Sequence, residues 1–104
     1  MKYIITENRL NSIIENWLNE NYGDLERYHR TEFRELYLSK NGRFKFMYNL
    51  RTKRLYVVSE VWDFITNMFG LDYDETANII LNWCNNKFKF NAKNPVKVDE
   101  IWKY

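Results

Sequence analysis

Cysteine and histidine occur once each among these 104 residues, as Cys84 and His29, and that scarcity removes whole classes of chemistry. A single cysteine forms no internal disulfide, so the fold must be held by burial alone, and the chain suits a reducing compartment. One His and one Cys far apart in sequence give no ligand cluster for a transition metal, and neither a metal nor another cofactor is expected. No serine-nucleophile motif, glycine-rich phosphate loop or His-Glu-x-x-His pattern is present. His29 stands between Arg27 and Arg30 in a stretch without periodicity. Cys84 falls on an apolar helical face, where a buried, inert thiol is the expected state. Acidic pairs such as Asp72/Asp74 and Asp99/Glu100 read as helix caps, and no enzymatic activity is expected. No apolar run approaches the roughly 18 residues of a membrane span. The opening "MKYIITENRL" lacks the apolar core of a signal peptide. The expected location is therefore the cytoplasm or the interior of a particle such as a virion.

What is present points to a compact α+β domain. A chain of this length reads as one domain spanning 1–104, able to bury roughly two-thirds of its unfolded surface. The aromatic residues number 19 (four Trp, eight Tyr, seven Phe), more than such a core readily holds, so some rings are expected at the surface. The formal net charge of +2 hides strong segregation: residues 36–59 carry six cations and no carboxylate, residues 60–86 five carboxylates and no cation, residues 87–97 four lysines. Such alternation either pairs within the fold or presents separate poles to a partner.

Periodicity places the elements. Leu10, Ile13, Ile14, Trp17 and Leu18 share one face of a helix expected over 6–22, with Thr6 as N-cap, an Ile5–Leu10 staple and Gly23 after the last turn. Residues 24–34 show no period and read as a connection tacked down by Leu25, Tyr28 and Phe33. A three-stranded antiparallel meander follows at about 35–40, 43–49 and 54–58, its first turn the Asn41-Gly42 hairpin signal. Alternation puts Phe44, Phe46 and Tyr48 on the core face, with Lys45 and Met47 outward. Ser59 is expected to cap a helix over 60–69 ended by Gly70, its apolar stripe made of Val61, Trp62, Ile65, Met68 and Phe69. Asp72 and Glu75 read as a capping-box variant opening a third helix at 73–87. That helix has an apolar face of Ala77, Ile80, Leu81, Cys84 and Phe88, widened by Ile79 and Trp83, as expected of burial on more than one side. The two C-terminal helices pack on the sheet, and a short basic tail holds a small hairpin around Asn94-Pro95.

Two surfaces invite a binding role. Segment 60–87 has the helix-turn-helix outline of a DNA reader, but Thr76 stands where an apolar residue belongs. Asp72, Asp74 and Glu75 would meet phosphate at the front of the recognition helix. An ordinary helical hairpin is the favoured reading. The meander carries Lys40, Arg43, Lys45, Arg51, Lys53 and Arg54 beside stackable rings, an arrangement some single-strand binders use. With Tyr28 and Trp102, these six are the expected partner-contact residues.

The strings "LSKNGRFKFMYN", "VSEVWDFITNMFGLDYDE" and "ILNWCNNKFKF", in that order, resemble small uncharacterised proteins encoded by marine tailed phages and related environmental viral genomes. The similarity covers about residues 35–90 and implies a viral origin without assigning functional residues. The expected function is a non-enzymatic protein-interaction module, either a virion or assembly component or a modulator of a host protein, with self-association among the options. The alternative is nucleic-acid binding through the basic meander 40–54 and the lysine-rich segment 87–97, or through a helix-turn-helix at 60–87.

Overall fold

A computed structural model describes residues 7–101. The elements run α1 (Glu7–Tyr22), β1 (Glu26–Arg30), a 3-10 turn (Thr31–Phe33), β2 (Glu35–Lys40), β3 (Arg43–Asn49), β4 (Arg54–Val58), α2 (Ser59–Phe69), α3 (Tyr73–Phe88) and β5 (Asn94–Val98). The class is α+β, but the sheet has five strands where the sequence suggests three. Their order is β1-β2-β3-β4-β5. The first four pair antiparallel, and β5 runs parallel to β4.

The three strands of the meander lie where alternation put them. Asn41 and Gly42 both have positive φ, 55° and 79°, as a tight hairpin turn of the primed type requires. β1 escapes sequence reading because "ERYHR" is exposed along nearly its whole length, so no face of it is marked by apolar residues. It is held as an edge strand by its ladder to β2, from Glu26↔Ser39 to Arg30↔Glu35. The expected hairpin at Asn94-Pro95 does not form. That segment is instead the other edge strand, which tolerates Pro95 because an edge leaves one row of ladder donors unused. Parallel pairing of β4 with β5 demands a long crossover, and α2 and α3 supply it.

A bulge corrects the expected facing of β3. Leu38 pairs with Phe46, but Ser39 pairs with Phe44, so Lys45 is an extra residue. Phe46 and Tyr48 remain in the core, whereas Phe44 turns to the opposite face and lies 5.0 Å from the Tyr37 ring. Lys45 does not point outward. It is 9% exposed, and its Nζ donates to Glu60 Oε2 at 3.0 Å.

The core joins Leu36, Leu38, Phe46, Tyr48, Leu55 and Val57 of the sheet to Ile14 and Leu18 of α1, Val61, Trp62 and Ile65 of α2, and the wide arc of α3. Trp83 Nε1–H donates to Asn19 Oδ1 at 2.8 Å and ties α3 to α1. Asp72 and Glu75 form the full reciprocal capping box at the start of α3. Ser59 does not cap α2. It is the first helical residue, and Val58 is the N-cap without a side-chain bond. The Thr6 cap and the Ile5 staple lie outside the described residues. At the end of α1 the Gly23 N–H donates to the Asn19 carbonyl at 3.0 Å, and a Cβ there would stand 2.4 Å from that oxygen.

Two outcomes follow. Gly23→Ala must push the chain off the end of α1 and should cost about 1–3 kcal/mol, read as a lowered urea midpoint at unchanged m-value. A midpoint equal to wild type contradicts the close approach. The second concerns alkaline pH. Burial raises the pKa of the Cys84 thiol, and burial followed by a nearby carboxylate raises those of Tyr22 (Glu60) and Tyr37 (Glu35). The hydrogen bond to Asp63 raises that of Lys97. Each group keeps its proton in the folded chain where the unfolded chain has begun to lose it, so stability falls as pH rises. The decline should begin near the ordinary thiol value of 9.0 and steepen above the ordinary tyrosine value of 10.0. Cys84→Val should remove its earliest part; a flat stability profile to about pH 11 is the contrary result.

Candidate interaction surfaces

The two faces of the sheet differ in what covers them. Arg27 and His29 of β1 share the face of Leu36 and Leu38, where the helices pack, and the Arg27 guanidinium lies 5.6 Å from the Phe88 ring centre. On the opposite face the register aligns one residue from every strand: Tyr28, Tyr37, Met47, Tyr56 and Val96. None of the five belongs to the core cluster. Tyr37 is buried within this row, Tyr28 is 41% exposed, and the other three are half-buried. Two ladder positions further on, and so on the same face, Arg30 faces Glu35 and Arg54 faces Asn94.

The expected contact residues divide into two groups. Lys40 and Lys45 are taken up internally. Lys40 donates to the Asn21 carbonyl, stands 3.8 Å from the Asp24 carboxylate and lies 5.5 Å from the Tyr22 ring centre. Lys45 is the partner of Glu60. Lys97, at the far edge, pairs with Asp63 at 2.9 Å. Arg43 is exposed beside a shallow cleft that it shares with Lys45, Glu60, Asp99 and Glu100. Trp102 lies outside the described residues.

Arg51, Lys53 and Arg54 form the second group, in the turn from β3 to β4. Asn49 organises that turn: its Oδ1 accepts from the N–H of Arg51 and of Thr52, each at 3.0 Å, and its carbonyl accepts from Lys53 at 2.8 Å. The Lys93 N–H then donates to the Lys53 carbonyl at 2.9 Å. Asn85 fixes the loop before β5 by bonding both backbone groups of Ala92, at 2.9 and 3.1 Å. The arrangement sets Lys93 against the turn of Arg51, Lys53 and Arg54, and Phe90, stacked on Tyr48 with centroids 4.5 Å apart, carries the end of α3 with Lys87 and Lys89 toward the same end of the sheet. None of these six makes an ion pair among the described residues.

A third surface was not singled out from sequence. Trp17 of α1 stacks on Phe64 of α2, with centroids 4.7 Å apart and planes inclined by 11°. Tyr22 feels the Glu60 carboxylate one turn further along, so the helices run antiparallel here. By helical spacing Ile13 lies one turn before Trp17 on α1, and Met68 one turn after Phe64 on α2. Ile13 and Phe64 are each 41% exposed and Met68 59%. These are large apolar groups on a joined pair of helices, beyond what the core absorbs. The only signal for them in the sequence is that the apolar stripes of both helices are wider than one buried face needs.

The helical hairpin α2–α3 shows why its outline resembles a DNA reader without the usual packing. Thr76 is fully buried, its Oγ1 bonded to the Asp72 carbonyl and to Thr66 Oγ1, each at 2.9 Å. The outward face of α3 presents Asp74, Glu75, Asn78, Asn82 and Asn86. His29 is exposed and Cys84 fully buried. Among the described residues there is no group of three or more His, Cys, Asp or Glu placed to hold a metal ion, and no helix is long and apolar enough to cross a membrane. Comparison with protein-family models, curated proteins and solved structures finds no match.

Proposed function

We propose that this chain is a non-enzymatic protein-interaction module, phage-encoded as its resemblance implies, that docks a protein through the α1–α2 ridge. The virion or assembly role and the modulation of a host protein remain its two settings, and a second copy of the chain is one candidate partner. The observation that carries the reading is the exposed line of Ile13, Phe64 and Met68 around the Trp17–Phe64 stack. Contiguous large apolar side chains on neighbouring helices are unfavourable in water and are regained as binding energy when a partner covers them. An aromatic pair held by its neighbours loses little entropy on docking, which makes it a suitable anchor. Asn16 and Asn67 are exposed on the same two helices, and the α2 carboxylates beside the line, Glu60 and Asp63, are paired with Lys45 and Lys97. The burial of the one thiol and the isolation of the one histidine support the non-enzymatic part of the reading.

The test uses exposed positions, so the fold is spared. Ile13→Asn and Met68→Asn should each leave the circular-dichroism melt within about 0.5 kcal/mol of wild type while weakening association about tenfold. Association is read by light scattering for self-assembly and by affinity capture from host lysate or disrupted virions. A wild-type protein that is monomeric at all accessible concentrations and captures no protein contradicts the proposal. So does capture that is indifferent to both substitutions.

A further inference from the structure

The geometry points to a second binding site, on a different surface from the ridge: the basic end and the adjoining helix-free sheet row form a platform for single-stranded nucleic acid. Arg51, Lys53 and Arg54 supply one side, Lys87, Lys89 and Lys93 the other, and Tyr56 with Tyr28 supplies the rings.

Charge carries the first step. Lys40, Lys45 and Lys97 each sit within 4 Å of a carboxylate, whereas the six at this end have no such partner among the described residues. Segments 49–54 and 86–97 contain no acidic residue at all, so nothing within them neutralises the cluster. Glu32 and Glu35 are the carboxylates nearest in the fold's layout, and Glu35 is engaged with the Tyr37 hydroxyl. The carboxylates of α3 lie at its opposite end: Asp72, Asp74 and Glu75 open a 16-residue helix whose last turn carries Lys87. That helix is about 24 Å long, beyond two Debye lengths at physiological salt. The cluster outnumbers the carboxylate that the register sets beside it, Glu35 opposite Asn49, and presents a net positive potential to an approaching polyanion.

Backbone conformation supports the same site. Lys53 and Lys89 both hold the left-handed conformation, φ 64° and 60°, where glycine is the comfortable residue. Each costs on the order of 1 kcal/mol relative to an unstrained position. Two lysines in such positions, both in the cationic cluster, fit a place where the side chain matters more than backbone ease.

The rings decide between polyanions. Arg54 lies two residues from Tyr56 on β4, so its side chain shares the helix-free face with that ring. Tyr56 continues into the row Met47, Tyr37, Tyr28. A phosphate chain held by the turn cations can lay unpaired bases on the accessible rings of this row, Tyr56 and Tyr28, and stacking is worth about 1–3 kcal/mol per base. A duplex hides its base faces, and an acidic peptide has none, so the single strand is the polyanion that uses both halves of the surface.

The experiment is a fluorescence-anisotropy titration of labelled oligothymidylate, about 12 nucleotides long, at about 50 and about 200 mM salt. Binding should weaken steeply with salt, and the same oligonucleotide paired into a duplex, or polyglutamate as competitor, should bind at least tenfold less well. The doubly substituted Lys53→Gly, Lys89→Gly protein relieves the left-handed strain, so it should be no less stable than wild type. It should nonetheless lose affinity and lower the magnitude of the salt slope by about 1.4, the effect of two lost phosphate contacts. Tyr56→Leu should lose affinity with the slope unchanged. Both should leave capture of a protein by the ridge intact, which separates this site from the proposed docking function. No binding of the oligonucleotide at low salt overturns the inference. A preference for duplex or polyglutamate does so too, as does a doubly substituted protein that binds like wild type.

Discussion

The hydrogen bond from the Lys93 N–H to the Lys53 carbonyl lies just before the parallel ladder of β5 on β4, and much of the molecule follows from that pairing. Parallel neighbours cannot be joined by a tight turn, so the chain must leave β4, cross the sheet and return. The crossover is the α2–α3 hairpin, whose apolar arcs supply most of the helical side of the core. With α1 packed beside it, one face of the sheet is covered, and no described helix lies over the row from Tyr28 to Val96 on the other. The same return sets Lys93 against the β3–β4 turn and brings Lys87 and Lys89, at the end of α3, toward the same end of the sheet. A change that unpaired β5 would scatter the cluster and open the core together.

Charge is divided along the same line. Three cations at the Asn41-Gly42 end and along the β5 edge are matched with carboxylates, Lys40 with Asp24, Lys45 with Glu60 and Lys97 with Asp63, while Arg43 beside Gly42 is exposed. Surface pairs of this kind contribute little stability, about 0–1 kcal/mol each, but they cancel the local field. The opposite end keeps its field. Carboxylates at the start of α3 and lysines at its end also follow the helix dipole, so this separation of poles costs the fold nothing. The apolar ridge of α1 and α2 and the cationic end are distinct surfaces.

Much of the fold was legible because local patterns fixed it. Alternation and the Asn41-Gly42 turn placed β2, β3 and β4 to the residue, and Asp72 with Glu75 marked the start of α3. The missing parts are those settled by distant partners. β1 has no apolar face to announce it and exists through its ladder to β2. β5 is five residues with a proline among them, and only the pairing with β4 makes it a strand. The bulge at Lys45 reversed Phe44, and nothing in "RFKFMYN" signals an extra residue. Lys45 then found Glu60, which an alternating pattern would have kept away. For the surfaces, Arg51, Lys53, Arg54 and the lysine-rich segment were each visible as cationic, but their meeting depends on chain return. Ile13, Trp17 and Met68 of the ridge were hidden inside stripes that read as core, because a helical period does not say how wide a core its partners offer, and Phe64 lay outside the α2 stripe.

The most direct test of the central claim, that chain return joins two basic segments into one surface, is a backbone-amide NMR titration with a single-stranded oligonucleotide. The amides of Arg51, Lys53, Arg54, Lys89 and Lys93 should shift together along one binding curve, with Tyr56 following and Ile13, Phe64 and Met68 unmoved. Shifts confined to one of the two segments, or centred on the start of α3, would contradict it.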